Sequence, residues 1–226
     1  MKYSHIAAAA LLSIASAGSM AMSVTLTGTN FDVTYDSAAL GLFGSSVTLT
    51  GDQLSFFPTS FVAKTGSGID VTNSTVALMI SAHSGYSLTG SSLAEGGDYF
   101  HFSNSAAPMA SGVSASGQLR VTPLPGSTTT AAITPAGAFT ANSFLNFGTT
   151  DWTATASVAA PMNTTLANVS IQNILAAYVV DGVGYSFIEK KDAFLTVGVT
   201  PVPEPETWAM MLAGLAAVGF LARRRG

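Results

Sequence analysis

Catalysis needs titratable side chains that converge, and this chain supplies few of them. Its histidines are His5, His83 and His101. His101 follows Asp98 and Glu95 closely, and a pairing with either carboxylate would make it a general base or a metal ligand. It also alternates with Phe100 and Phe102, which on a strand places it on the opposite side. The reading favoured here is therefore an exposed strand histidine. His83 stands beside Ser84-Gly85 in a turn and is read as another solvated side chain. Asp32 and Asp36 would share one face of a continuous strand. Such a pair can serve a glycosidase or a calcium site, but ordinary solvated carboxylates explain it better. No G-x-S-x-G elbow, H-E-x-x-H or phosphate-binding loop is present. No catalytic residue, metal ligand or cofactor is assigned, and the chain is read as a non-enzyme.

Hydroxyls are the abundant polar group, with 27 Ser and 26 Thr among 226 residues. Asn73-Ser74-Thr75, Asn163-Thr164-Thr165 and Asn168-Val169-Ser170 fit the N-glycosylation acceptor pattern. In so Ser/Thr-rich a chain these matches are expected by chance. The Thr-x-Thr pairs Thr25/Thr27, Thr27/Thr29, Thr48/Thr50 and Thr153/Thr155 lack the constant period that ice matching needs.

The ends carry the more specific patterns. Lys2 precedes an apolar stretch from Ile6 to Ile14, and Ala15-Ser16-Ala17 follows. One positive charge, a short apolar core and an A-x-A triplet form the layout of a secretory signal peptide. The core is well under the ~20 residues that span a bilayer. Signal peptidase is expected to cut after Ala17, with Ala15 as the other small residue it reads. Cleavage after Ala21 or Ser23 is the second choice.

The C-terminus reads Val202-Pro203-Glu204-Pro205-Glu206-Thr207-Trp208, an uncharged run to Ala222, then Arg223-Arg224-Arg225. Pro203 and Pro205 lock φ and lack amide donors, so this stretch is expected to stay extended. An extended peptide is the shape a processing enzyme grips. Trp208 suits a membrane–water boundary. The run from 208 to 222 is about 22 Å long as a helix at ~1.5 Å per residue, short of a ~30 Å hydrocarbon core. Arginine stems would have to make up the difference by snorkelling. The three arginines are expected to stay cytoplasmic as a membrane stop, leaving the preceding domain on the far side.

Val202-Pro203-Glu204-Pro205, the short Ala/Gly/Leu-rich helix and the terminal arginines together resemble the PEP-CTERM sorting signal. That signal is found in Gram-negative bacteria that make exopolysaccharide, and the same tail is also catalogued as an ice-binding protein C-terminal domain. The resemblance implies recognition and cutting by exosortase, a membrane-embedded cysteine transpeptidase. It maps the family's Pro-Glu-Pro onto Pro203, Glu204 and Pro205. It maps the anchor onto 208–222 and the basic stop onto Arg223, Arg224 and Arg225. The segments Gly51 to Phe56, Thr75 to Tyr86 and Leu93 to Tyr99 more loosely resemble sequences that often precede this tail.

What lies between must be positioned by strands. Only 9% of residues are charged, 48% are apolar, Gly numbers 22 and Cys is absent. This excludes a basic nucleic-acid binder, a disulfide or zinc scaffold and a charge-driven disordered chain. Residues 18–202 carry Lys64, Arg120, Lys190 and Lys191 against ten acidic residues, which disfavours polyanionic partners. Apolar and polar residues alternate at Val24–Thr27, Phe31–Tyr35, Val47–Thr50, Tyr99–Phe102 and Phe194–Val199. Turns are expected at Gly41–Gly44, Gly66–Gly68, Gly90–Ser92, Gly96–Asp98 and Pro123–Gly126. Thr165–Val180 fits either a helix or a strand with Val169, Ile171, Leu175 and Val179 on one face. Strand is favoured because Ile, Val and Asn are weak helix formers.

The expected architecture is all-β: an antiparallel, jelly-roll-like β-sandwich at 18–200. It is flanked by a signal helix at 1–17 and by a sorting signal at 201–226 that contains a transmembrane helix at 208–222. The expected role is an exported surface or extracellular-matrix protein, structural or adhesive in a biofilm. A carbohydrate-binding module is the alternative, and a hydrolase a third. Expected partners are the general secretion machinery, signal peptidase, exosortase, the inner membrane in transit and exopolysaccharide.

Overall fold

β-Branched and aromatic residues placed at every second position favour pleated strands that bury one face. The computed structural model describes residues 22–107, 109–142, 148–202 and 205–225. The expected signal helix with Ala15 and Ala17 lies outside these residues, as do Pro203 and Glu204. In chain order the strands are β1 (Ser23–Thr27), β2 (Phe31–Asp36), β3 (Val47–Thr50), β4 (Gln53–Phe56) and β5 (Val62–Thr65). Then come β6 (Gly68–Ala82), β7 (Tyr86–Ser103), β8 (Ser111–Pro123), β9 (Thr129–Ala132) and β10 (Thr134–Pro135). β11 (Thr150–Thr164), β12 (Leu166–Val179), β13 (Gly184–Pro201) and one helix, α1 (Pro205–Arg225), complete the chain.

Two antiparallel sheets form. One has the order β1-β2-β6-β12-β8-β9, the other β10-β11-β7-β13-β4-β3, with β5 also paired to β13. The long strands β6, β7, β8, β11, β12 and β13 fall alternately in the first and second sheet. Each connection therefore crosses between layers, and the inward faces of both sheets share one core. Phe31, Val33, Ile80, Leu119, Ile171 and Leu175 fill it from the first sheet, and Leu54, Phe56, Leu93, Ile188 and Leu195 from the second. The ambiguous 165–180 segment is strand β12. Its inward residues run Ala167, Val169, Ile171, Asn173, Leu175, Ala177 and Val179, all buried.

Three expectations need correction. Gly90–Ser92 and Gly96–Asp98 are not turns; both lie inside the 18-residue strand β7. They sit where the ladder slips, opposite irregularities at Lys190/Asp192 and Gly198/Val199 of β13. Glycine in a strand often marks a bulge or a close backbone approach. A Cβ on Gly97 would stand 1.9 Å from the Glu189 carbonyl oxygen. His101 is not exposed. It does lie opposite Phe100 and Phe102, but the inward face is its own, shared with Tyr99 and with Ile188 and Ser186 across the ladder.

The third correction concerns the tail. Pro205 is not extended; it begins α1, which runs on through the arginines to Arg225. Proline suits the first helical turn, where its missing N–H would have had no partner anyway. No helix among the described residues is long and apolar enough to cross a membrane. The arginine end is charged, and Gly214 and Gly219 dilute the apolar run.

Candidate functional site

β13 delivers the tail. It is a central strand, held by β7 along its whole length and by β4 and β5 on the other side. Its last pair is Pro201 with Tyr86, and one further bond, from the Val202 amide to the Gly85 carbonyl at 2.8 Å, closes the sheet. Of the expected processing residues, Val202 is thus tied to the sandwich. Pro205 lies in the first turn of α1. Met210, Leu212, Leu215 and Phe220 of α1 are all exposed, as are Arg223 and Arg224. No described residue of α1 belongs to the hydrophobic core. Exposed apolar side chains grouped on one element in this way commonly mark a surface that meets a partner or a membrane.

The polar residues of the sandwich include surface pairs, the buried pair His101–Ser111 and a buried group of three side chains. His83 lies in the β6–β7 turn as expected, and its Nε2 meets Asp32 Oδ1 at 3.0 Å while Nδ1 faces the Thr29 carbonyl at 3.2 Å. Asp32 and Asp36 do share the outer face of β2. They do not converge on a ligand: Asp36 caps the short 3-10 turn Ser37–Ala39 through the Ala38 amide at 2.9 Å. One surface depression of about 450 Å3 beside it is lined by Thr34, Asp36, Met79, Thr122, Asn168 and Ser170. Asp36 is the only charged residue there among the described residues.

His101 bonds neither Glu95 nor Asp98, the carboxylates that a general-base or metal role would have used. Its Nδ1 meets Ser111 Oγ at 3.2 Å, and its ring stacks near Tyr99 with 6.3 Å between centres. Burial holds its imidazole below the ordinary value of 6.5, against a smaller opposing effect from the Phe139 backbone. Asp98 binds Lys191 at 2.9 Å. Burial pushes the Asp98 carboxyl up, but its bonds, first of all that to Lys191, outweigh this and hold it below its ordinary range.

The buried group went unseen in the sequence. Glu95 of β7, Asn173 of β12 and Lys190 of β13 meet between the sheets, and none exposes more than 3% of its surface. Asn173 Nδ2 donates to Glu95 Oε1 at 2.8 Å and Oε2 at 3.0 Å. Lys190 Nζ donates to the same Oε2. Asn173 Oδ1 has no hydrogen-bond partner among the described residues. Lys190 Nζ also stands 5.4 Å from the ring centre of Phe43 and 5.5 Å from that of Phe61. These two rings meet edge to face and help to screen the group from water. Burial pushes the Glu95 carboxyl up despite Lys190, and it pushes the Lys190 amine down to about 8 despite Glu95.

The β13 bulge is what aims Lys190 inward. Ser186, Ile188 and Lys190 point into the core, then Ala193, Leu195 and Val197 do, so the alternation shifts by one residue at Lys191–Asp192. One signal for the group was present in the sequence. Val169, Ile171, Leu175 and Val179 share one strand face, and Asn173 is the polar member of that series.

No curated protein matches the chain in sequence. Residues 201–225 match the family described as the PEP-CTERM protein-sorting motif. The match covers the end of β13, the Pro-Glu-Pro and all of α1, and it bears out the resemblance read from the tail. The chain carries a PEP-CTERM sorting motif at its C-terminal end, and with it the mark of exosortase-dependent export to the cell envelope.

Proposed function

We propose that the chain is an exported, non-enzymatic surface or matrix protein whose β-domain, 18–200, is delivered by a disposable C-terminal handle. The observation that carries this reading is the pairing of the sorting motif with a helix in which Met210, Leu212, Leu215 and Phe220 are exposed and no described residue joins the sandwich core. In this reading residues 1–17 direct secretion and are removed by signal peptidase after Ala17. The apolar part of α1, 208–222, then lodges in the inner membrane. Arg223, Arg224 and Arg225 hold it from the cytoplasmic side, their stems making up for its short span. Exosortase reads Val202, Pro203, Glu204 and Pro205 and cuts there, sending the domain to the surface or the biofilm matrix.

The outer face of the first sheet supports a structural or adhesive role. A cross-strand row of Thr25, Thr34, Met79, Asn168 and Thr122 runs over it, with Thr25 and Thr34 bonded at 3.0 Å. Such a hydroxyl-rich surface offers many weak hydrogen bonds to a hydrated polysaccharide. A carbohydrate-binding module is the second reading, and the second sheet favours it. There Tyr185, paired across the ladder with Phe102, is exposed, whereas Phe100, paired with Phe187, is buried. Aromatic faces are what sugar rings stack upon.

Cells lacking exosortase are expected to hold an unprocessed, membrane-bound form that still ends in Arg223–Arg225. Identical protein in the two backgrounds would overturn the sorting role. Glycan-array binding that disappears in Tyr185→Ala would favour the carbohydrate-binding reading over the structural one.

A further inference from the structure

We propose that Lys190 and Asn173 become joined by an intramolecular amide bond, formed inside the folded domain with Glu95 as proton carrier and ammonia as the leaving group. The reacting groups are already assembled. The Lys190 amine and the Asn173 carboxamide nitrogen bond the same carboxylate oxygen, Glu95 Oε2. All three side chains are buried, and Phe43 and Phe61 lie against the amine. Holding an amine beside an amide in fixed geometry replaces a collision between partners with an internal step.

The chemistry balances without any oxidant or co-reactant. Amine and acid react in their neutral forms, and the interior favours both: burial lowers the Lys190 amine and raises the Glu95 carboxyl. The Nζ lone pair attacks Asn173 Cγ, and the carbonyl electrons move onto Oδ1. Glu95 gives its proton to Nδ2. As the carbonyl re-forms, the Cγ–Nδ2 bond breaks and ammonia leaves. Glu95 recovers a proton from Nζ and ends as it began. The product is a neutral secondary amide, which leaves no ionisable amine in the core. A buried ion pair is itself weak support for a fold.

The placement gives the bond a purpose. β12 belongs to the first sheet, β7 and β13 to the second. Joining Asn173 to Lys190 fastens the two layers covalently in a chain that has no cysteine for a disulfide. The inference goes beyond the sorting reading and does not depend on it.

Peptide-mapping mass spectrometry of the purified full-length chain tests it. Cleavage before Asp181, which lies between the two residues, separates Asn173 from Lys190 in an unlinked chain. The expected result is two peptides that remain joined, with a combined mass lighter by one ammonia, and resistance to trypsin after Lys190. Glu95→Gln and Lys190→Met are expected to give separate peptides of full mass. Separate, full-mass peptides from the folded wild-type chain would overturn the proposal. That measurement decides the question even where a variant fails to fold.

Discussion

The sandwich and the C-terminal helix use the same apolar residue types in opposite ways. In β12 every second side chain is buried, from Ala167 to Val179. In α1, Met210, Leu212, Leu215 and Phe220 stand exposed. The difference lies in period and in partners. A repeat of two gives a strand one apolar face, which the opposite sheet covers. The described apolar side chains of α1 have no such facing layer, and none of them joins the core. One region encodes a self-sufficient core, the other an address.

The sharpest way to break this contrast is to truncate an apolar side chain in each region. Ile171→Ala empties part of a fully buried site and is expected to cost about 2–5 kcal/mol in urea unfolding. Leu215→Ala, in the exposed helix, is expected to leave the sandwich midpoint unchanged. A loss of domain stability in Leu215→Ala would show that the helix packs on the sandwich after all.

Glycine offers a second pair. Gly97→Ala drives a methyl to 1.9 Å from the Glu189 carbonyl, and the overpacked ladder is expected to lose about 1–3 kcal/mol. Around Gly214 there is open space. Gly214→Ala should leave sandwich unfolding alone and raise the helicity of the tail, by up to about 1 kcal/mol of helix stability. Circular dichroism and urea titration read both.

The third prediction concerns acid. His101 in the folded domain has its pKa below 6.5, so as pH falls under 6.5 the unfolded chain takes up the proton first. Stability contributed by neutral His101 is full above 6.5 and falls as acidity approaches its lowered value. Unfolding midpoints measured from pH 7 downward should show this slope, and His101→Gln should flatten it. The smallest expected effect is at the surface. Asp36→Ala removes one cap bond to the Ala38 amide and should cost about 0.5–1 kcal/mol.

These residues also show how far the sequence could be read. Strands β1, β2 and β3 were legible because their alternation is local and unbroken, whereas β12 had to be preferred over a helix on residue propensity. β7 was not, because Gly90 and Gly96-Gly97 resemble turn residues until their partners are known. Those partners are in β13, about a hundred residues further on. His101 shows a related limit. Alternation separates two faces of a strand but does not say which one turns inward, and only the pairing with Ser186 and Ile188 decides it. The tail was legible in kind, because its signal is carried by neighbouring residues in a fixed order. Its helix boundaries were not, since Pro205 is compatible both with an extended stalk and with a first helical turn. The Glu95–Lys190–Asn173 group is the least legible of all. Three strands from two sheets must meet before it exists.

The tail leaves from the end of β13, a strand gripped on both flanks. Tension applied through the C-terminus therefore runs lengthwise along that strand and loads its hydrogen bonds in shear, many at once, instead of unzipping them singly. Lys190 lies along the same force path, so a covalent link to Asn173 would pass part of the strain into the neighbouring layer. A domain hauled outward by its own end would be pulled along its strongest axis.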